Sequence, residues 1–267
     1  MLNPRVRHWL ASILGLRYLL GAFETTTPWR LLLGEATHRG QTRHFTLKDS
    51  GLPVYVLQGQ GCEGLYYLFR HGEYEPPPDL VSAVGEPRAI LDIGAAAGMF
   101  AAWALARWPS ATITCIEPEP KMLESLHGLA AALPGRITII EAAAGPSEGT
   151  VDFVDGWAGG SHIKADGEDL PTRSIPQIDI FELLADADLV KMDIEGGEWP
   201  ILKDQRMSRL RGVLTMEYHR VGAPSLPARD AAADLLNQAG IASGFGESNF
   251  WGHGTLWAWP TSISLGR

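Results

Sequence analysis

The chain has 267 residues, 45% hydrophobic and 20% charged. This is the balance of a soluble globular protein with room for a full α/β core and a small appended layer. Its formal net charge of −9 at pH 7 lacks the basic excess of a dedicated nucleic-acid binder, so no nucleic-acid partner is expected. Cys62 and Cys115, the two cysteines, make neither a disulfide framework nor a thiolate zinc site, which points to a reducing cytoplasm.

At the N-terminus, Arg5, Arg7 and His8 precede an apolar run over residues 9–16. Arg17 interrupts it and no clean cleavage site follows, which disfavours a signal peptide. Val6, Trp9, Leu10, Ile13, Leu16 and Leu20 fall at helical spacing and predict an amphipathic helix packed on the domain. No apolar run reaches ~18 residues, so stable membrane insertion is not expected. Two strand-like runs follow, residues 44–48 and 52–58, split by the turn signal Asp49-Ser50-Gly51, and then a helix over 64–70. The cluster Pro76-Pro77-Pro78 divides the chain into an N-terminal cap region, residues 1–78, and a larger domain, residues 79–267.

After Pro87 strands and helices alternate. Residues 89–93 form a continuous apolar strand of the kind covered on both faces. A helix over 99–108 stops at Pro109, and a strand over 111–116 ends in Glu117-Pro118. A helix over 121–133 breaks at Pro134-Gly135, and a third strand covers 136–140. A less regular insert carries short strands at 150–154 and 175–178. Residues 189–192 and 212–216 are the fourth and fifth core strands, followed by a helix over 228–238 and strands over 241–245 and 255–259 joined by a Gly-rich turn. The alternation predicts a doubly wound α/β sheet, and the last pair, with no helix between, predicts a hairpin and one antiparallel strand.

Ligands of such sheets bind at the carboxyl ends of strands, near the point where strand order reverses. Gly94 and Gly98 follow the first core strand and let the backbone turn tightly beside a ligand, with Asp92 placed to orient their loop. Glu117 ends the second strand, where a carboxylate can accept both hydroxyls of a ribose. A dinucleotide site needs Gly-x-Gly-x-x-Gly facing a pyrophosphate. Ala96 stands where the second Gly belongs, so the spacing suits a nucleoside without phosphates.

A second strand end is acidic. Asp193 and Glu195 alternate about Ile194 and would share a face of an extended strand end, leaving Glu198 to the helix start. Glu217 and His219 repeat the spacing at the next strand end. His219, with an ordinary pKa of ~6.5, is the preferred general base. Asp193 is its competitor, and Glu195 and Glu217 orient base or acceptor. Trp251 and His253 in the terminal turn and His162 in the insert are candidates for the acceptor pocket, and Tyr74 for contact with cofactor or acceptor. No metal site is expected, although carboxylates with one His could hold Mg²⁺ or another oxygen-loving ion against the acceptor's oxygens.

These residues resemble the class I S-adenosylmethionine-dependent methyltransferases and, more narrowly, the FkbM family. The resemblance spans residues 74–259. It rests on Leu91-Asp92-Ile93-Gly94-Ala95-Ala96-Ala97-Gly98, on Ile116-Glu117-Pro118, on Ala142-Ala143-Ala144-Gly145, on Ile175-Pro176-Gln177-Ile178-Asp179, on Lys191-Met192-Asp193-Ile194-Glu195-Gly196-Gly197-Glu198 and on Glu217-Tyr218-His219. The Lys-x-Asp-x-Glu-Gly-x-Glu segment is the discriminating one. It implies a seven-stranded Rossmann-like sheet and methyl transfer from S-adenosylmethionine, commonly to a hydroxyl of a natural product or glycan. The loop of Gly94, Ala95 and Gly98 would hold the cofactor's amino-acid end, with Asp92 and Asp193 beside it. Glu117 and Pro118 would meet its ribose, and Ala143 its adenine. The N-terminal region would cap the acceptor pocket. N-methylation, an NAD-type oxidoreductase and a non-catalytic cofactor-binding scaffold are the alternatives. The partner expected is a small-molecule acceptor, and a homo-oligomer is compatible with the sequence.

Overall fold

The alternation after Pro87 builds a seven-stranded sheet of order β12-β13-β11-β10-β3-β4-β5, in a computed structural model that describes residues 18–38, 40–59, 61–156, 161–164, 168–244, 246 and 253–265. The strands are β3 (Ala89–Ile93), β4 (Thr112–Ile116), β5 (Ile137–Ile140), β10 (Leu189–Met192), β11 (Val213–Tyr218), β12 (Ile241–Gly244) and β13 (Gly254–Pro260). Six point the same way, and β13 alone runs antiparallel, between β11 and β12. This is the doubly wound sheet with a terminal hairpin that the sequence predicts. The chain leaves β3 toward β4 and β5, then returns to lay β10 on the other flank of β3. The strand order therefore reverses between β3 and β10, which fixes where a ligand cleft opens. Asp188 fastens that seam at its other end, its Oδ2 accepting from the N–H groups of Arg88 and Ala89 at 2.8 and 2.9 Å.

Helices α4 (Met99–Arg107) and α5 (Pro120–Ala132) follow β3 and β4, and α8 (Ala228–Gln238) precedes the hairpin. Three helices that the sequence does not announce are α1 (Pro28–Thr37), α3 (Pro78–Val84) and α6 (Phe181–Asp186), and α7 (Glu198–Leu202) begins at the expected helix start. Pro28 and Pro78 stand at the first helical positions of α1 and α3, where a missing N–H costs nothing. The third proline of the cluster thus starts a helix. The insert is also more ordered than its two expected strands. β6 (Ala143–Gly145), β7 (Gly149–Val154), β8 (His162–Ile163) and β9 (Thr172–Asp179) form a four-stranded sheet of order β6-β9-β7-β8.

In the N-terminal region β1 (Thr42–Thr46) and β2 (Pro53–Leu57) pair antiparallel, and α2 (Gly61–Tyr66) follows. The helix expected over residues 6–20 lies mostly outside the described residues. One core crosses residue 78: Leu31, Val54, Val56 and Leu65 pack in the same cluster as Phe100, Trp103 and Leu126. The region therefore lies against α4 and α5, and Gly128 lets the Tyr55 hydroxyl close in on α5. A second cluster on the other face of the sheet gathers Phe181, Trp199, Tyr218 and Leu236. Among the described residues no helix is long and apolar enough to cross a membrane.

Phe181 is fully buried under the Arg206 guanidinium, which lies 4.3 Å from its ring. Phe181→Ala is expected to cost about 3–5 kcal/mol of stability, read as a fall in the urea unfolding midpoint.

Candidate active site

At the switch point the loop after β3 presses on the turn after β10. Gly94 has φ +79°, and a Cβ there would stand 1.9 Å from the Asp193 carbonyl oxygen, so only glycine fits. Lys191 seals the contact. It is 5% exposed on a strand of otherwise apolar buried residues, and its Nζ donates to the Gly94 carbonyl at 2.7 Å. The same ammonium lies 3.6 Å from Asp92 and 3.7 Å from Asp193. Burial alone would lower the Lys191 pKa, but Asp193 and Asp92 together raise it, so it stays charged. The sequence reading quoted Lys191 inside a motif and gave it no role. A lysine in a fully buried strand is the signal that marks it.

Glu117 is buried, not a solvent-facing loop acid. Its Oε2 accepts from the Ala96 N–H at 2.7 Å and its Oε1 from the Glu119 N–H at 2.8 Å. Burial pushes its pKa up to about 7 against the pull of those two amides. A cavity of about 200 Å³ opens beside it, lined by Gly94, Ala96, Glu117, Pro118, Ala143, His162 and Asp193 among others. Ala95, Gly98, Asp92 and Tyr74, expected at the cofactor, do not line this cavity. Gly98 caps α4 with φ +82°. Asp92 is fully buried beneath Lys191. Tyr74 packs edge-on against Phe100, 5.3 Å between centroids. Its phenol is held neutral by burial and by the charges of Asp193, Glu73 and Glu217. His162 has a partner in Glu168 at 3.0 Å.

The acidic strand ends converge. His219 is 3% exposed, with its Nε2 3.4 Å from Glu195 and 4.0 Å from both Asp193 and Glu217. The convergence has a different origin from the expected strand alternation. β10 ends at Met192, and the following turn brings the Glu195 carboxylate back with a left-handed φ of +52°. Glu198 also differs from expectation. It does stand at the start of α7, but its Oε1 accepts from the His219 backbone N–H at 2.7 Å and lies 3.2 Å from Nδ1, while Oε2 accepts from the Gly196 N–H. Trp199 adds a second clamp, donating from Nε1 to the carbonyls of His219 and Val221. β11 runs two residues beyond its expected end because β13 pairs Glu217 with Thr255 and Tyr218 with Gly254. That register brings His253 edge-on to His219, 5.3 Å between ring centroids. Trp251, the other turn candidate, lies outside the described residues.

Proton affinities follow from this crowding. Burial would lower the His219 pKa, but its hydrogen bond to Glu198 and the charges of Glu198, Asp193 and Glu195 carry it up to about 9. Burial and the Asp193 charge push Glu217 up to about 8. Burial raises Asp92 to about 6, offset in part by Lys191. His219 therefore takes up a proton more readily than an ordinary imidazole, and its neutral form is the minor one at neutral pH. A larger cavity, about 440 Å³, lies at the opposite ends of the strands beside Leu80, Val84, Trp108 and Arg211. It gathers no comparable set of ionisable groups, and the smaller cavity is the chemically equipped one.

Residues 92–240 match the family model described as the methyltransferase FkbM domain. No curated protein matches the chain. Similar solved structures include a precorrin-6y C5,15-methyltransferase from Geobacter metallireducens, at 18% identity over 65% of this chain and 80% of that one, TM-score 0.39. An O-methyltransferase from neocarzinostatin biosynthesis, bound to S-adenosyl-L-homocysteine and 1,4-dihydroxy-2-naphthoic acid, is 12% identical over 76% of this chain and 57% of its own, TM-score 0.39. The fibrillarin pre-rRNA processing protein of Methanococcus jannaschii is 12% identical over 69% and 70%, TM-score 0.37.

The ligand-free chain is expected to lose stability as pH rises from 6 to 9. Asp92, Glu117, Glu217 and His219 all hold protons more tightly folded than unfolded. The folded state therefore carries more protons, and unfolding free energy falls with pH. The His219 part is complete below its unfolded pKa of ~6.5 and is lost through about 9. Urea midpoints at the two pH values check the slope, and His219→Gln should flatten its upper half.

Proposed function

The chain belongs to the FkbM methyltransferase family, and on that premise we propose that it methylates a hydroxyl of a small natural product or sugar. It is an S-adenosylmethionine-dependent methyltransferase. The observation that carries the oxygen-acceptor reading is the convergence of Asp193, Glu195 and Glu217 on His219 directly beside the Gly94 turn. A sulfonium methyl is already activated, so the protein's work is to hold the acceptor in line and to take its proton.

In this reading the cavity along Gly94, Glu117 and Ala143 takes the cofactor. Glu117 meets the ribose with the lone pairs that its two amide bonds leave free. Lys191 and Asp92 fix the loop from beneath, and Ala95 and Gly98 shape it from behind. The acceptor enters on the side of Glu195, His162 and His253. S-adenosylmethionine held in the cavity would supply the activated methyl, with sulfur keeping the bond's electron pair, and the chain's residues would hold the acceptor oxygen in line with it. The hydroxyl proton passes to the ionised form of Glu217, whose proton affinity near 8 makes that form a strong acceptor and makes turnover rise as pH approaches 8. Asp193 and Glu195 orient the acceptor, and Glu198 holds His219 in place. The cytoplasm is the proposed compartment, on the two buried free thiols Cys62 and Cys115.

Calorimetry should show one S-adenosylmethionine bound per chain and no NAD. Binding of NAD in its place overturns the reading. Glu117→Gln should weaken S-adenosylmethionine by about 10- to 100-fold, the loss of a charge-assisted hydrogen bond. With an acceptor drawn from a panel of hydroxylated natural products and sugars, Glu217→Gln should lower kcat by about 10²-fold or more while the cofactor Kd holds. An undiminished kcat in that variant removes Glu217 as the proton acceptor.

A further inference from the structure

The same cleft carries more negative charge than its own cations answer. Lys191 is shared between Asp92 at 3.6 Å and Asp193 at 3.7 Å, and the imidazole of His219 lies against the fully buried Glu198. Asp193, Glu195 and Glu217 also stand within 4.0 Å of one ring nitrogen, so the carboxyl groups outnumber the two cations. Gathered acids that are only partly solvated cost folding free energy unless a cation joins them.

The ring itself is arranged to meet one. His219 is 3% exposed, and Glu198 and Trp199 hold its ring, backbone N–H and carbonyl. Its Nδ1 faces Glu198, so Nε2 is the atom presented to the cleft, and no hydrogen bond to Nε2 exists among the described residues. A carboxylate behind Nδ1 with Nε2 turned toward Asp193, Glu195 and Glu217 is the support that metal-ligating histidines receive. One oxygen each from Asp193 and Glu195 and one nitrogen from His219 lie within 4.8 Å of one another. Ligand atoms of one ion with bonds of ~2.1 Å stand about 3–4 Å apart, a closure small enough for the half-exposed side chains of Asp193 and Glu195 to make by rotation.

We propose that Asp193, Glu195 and His219 form a binding site for an oxygen-preferring divalent cation, with Mn²⁺ favoured over Mg²⁺. Two carboxylates neutralise the ion, and the imidazole, which gives up its Nε2 proton to solvent as the ion binds, tilts the choice toward Mn²⁺, which tolerates nitrogen and oxygen ligands together. Three protein ligands leave the remaining positions open toward the cofactor cavity, where an acceptor oxygen would complete the shell. Glu217 stands beside the site as the remaining carboxylate. The role of the ion rests on the methyl-transfer reading, whereas its binding does not.

The test is titration of the chelator-stripped full chain with Mn²⁺ alone, followed by calorimetry and by the paramagnetic resonance of free Mn²⁺. One ion per chain with Kd below ~100 μM is expected. Asp193→Asn and Glu195→Gln, which keep side-chain volume, should each weaken it about tenfold or more. Mn²⁺ should also broaden the His219 ring resonances of the unaltered protein first, a measurement that needs no variant. No binding up to ~1 mM, broadening elsewhere, or unchanged affinity in folded Asp193→Asn and Glu195→Gln overturns the site. Titrating the same samples with S-adenosylmethionine separates the two readings. Cofactor binding without Mn²⁺ binding overturns the cation site alone. Mn²⁺ binding at these residues without cofactor binding upholds the site and overturns the methyltransferase reading.

Discussion

A single charged hydrogen bond, from Lys191 Nζ to the Gly94 carbonyl, holds the two halves of the molecule's working end together. β3 and β10 are neighbours in space but about a hundred residues apart in the chain, and the sheet fixes only their backbones. Between the loop after β3 and the turn after β10 the ladder ends at the Asp193 N–H, which donates to the Ile93 carbonyl at 3.0 Å, and Lys191 adds a side-chain tie beyond it. That tie comes from inside the core, and the absence of a side chain at Gly94 lets the two segments meet. The cost of burying an ammonium is offset by Asp92 and Asp193. Those acids in turn could not be so close to Glu117 and Glu217 without it. The cofactor side and the acidic side of the cleft thus share one cation.

Around that tie the two sides are built by different means. On the cofactor side the acid is spent on backbone: Glu117 holds Ala96 and Glu119 and shapes the cavity wall. On the other side the acids are gathered about an imidazole that is fixed from behind by Glu198 and Trp199. The first arrangement suits a ligand of fixed shape. The second suits a ligand whose charge or protonation changes during the event.

Most of the sheet was legible because short, largely apolar runs such as Leu189–Met192, broken by Lys191 alone, alternate with helical patterns and read as buried parallel strands, with Gly and Pro between them. The strand-end acids and His219 were legible for the same reason, since topology places strand ends together. What was hidden depends on contacts across the sheet. Pro78 reads as a break yet opens a helix, as Pro28 also does, because a proline ends one element and permits the next equally well. Glu198 read as a helix cap because nothing local reveals a bond to a residue 21 positions on. The raised proton affinity of His219 is likewise a sum over neighbours, each ordinary by itself.

The hairpin at the end of the chain has a consequence for assembly. β13 slots between β11 and β12, both made before it. Until it arrives, β11 is an open sheet edge whose residues 213–216 are all destined for burial. That strand also bears Glu217 and His219 at its tip. An intermediate lacking the last strand would therefore offer a flat apolar edge to any other strand nearby, including the β13 of a second molecule. Exchange of that strand between two chains would satisfy both edges and deliver each His253 to the other chain's His219.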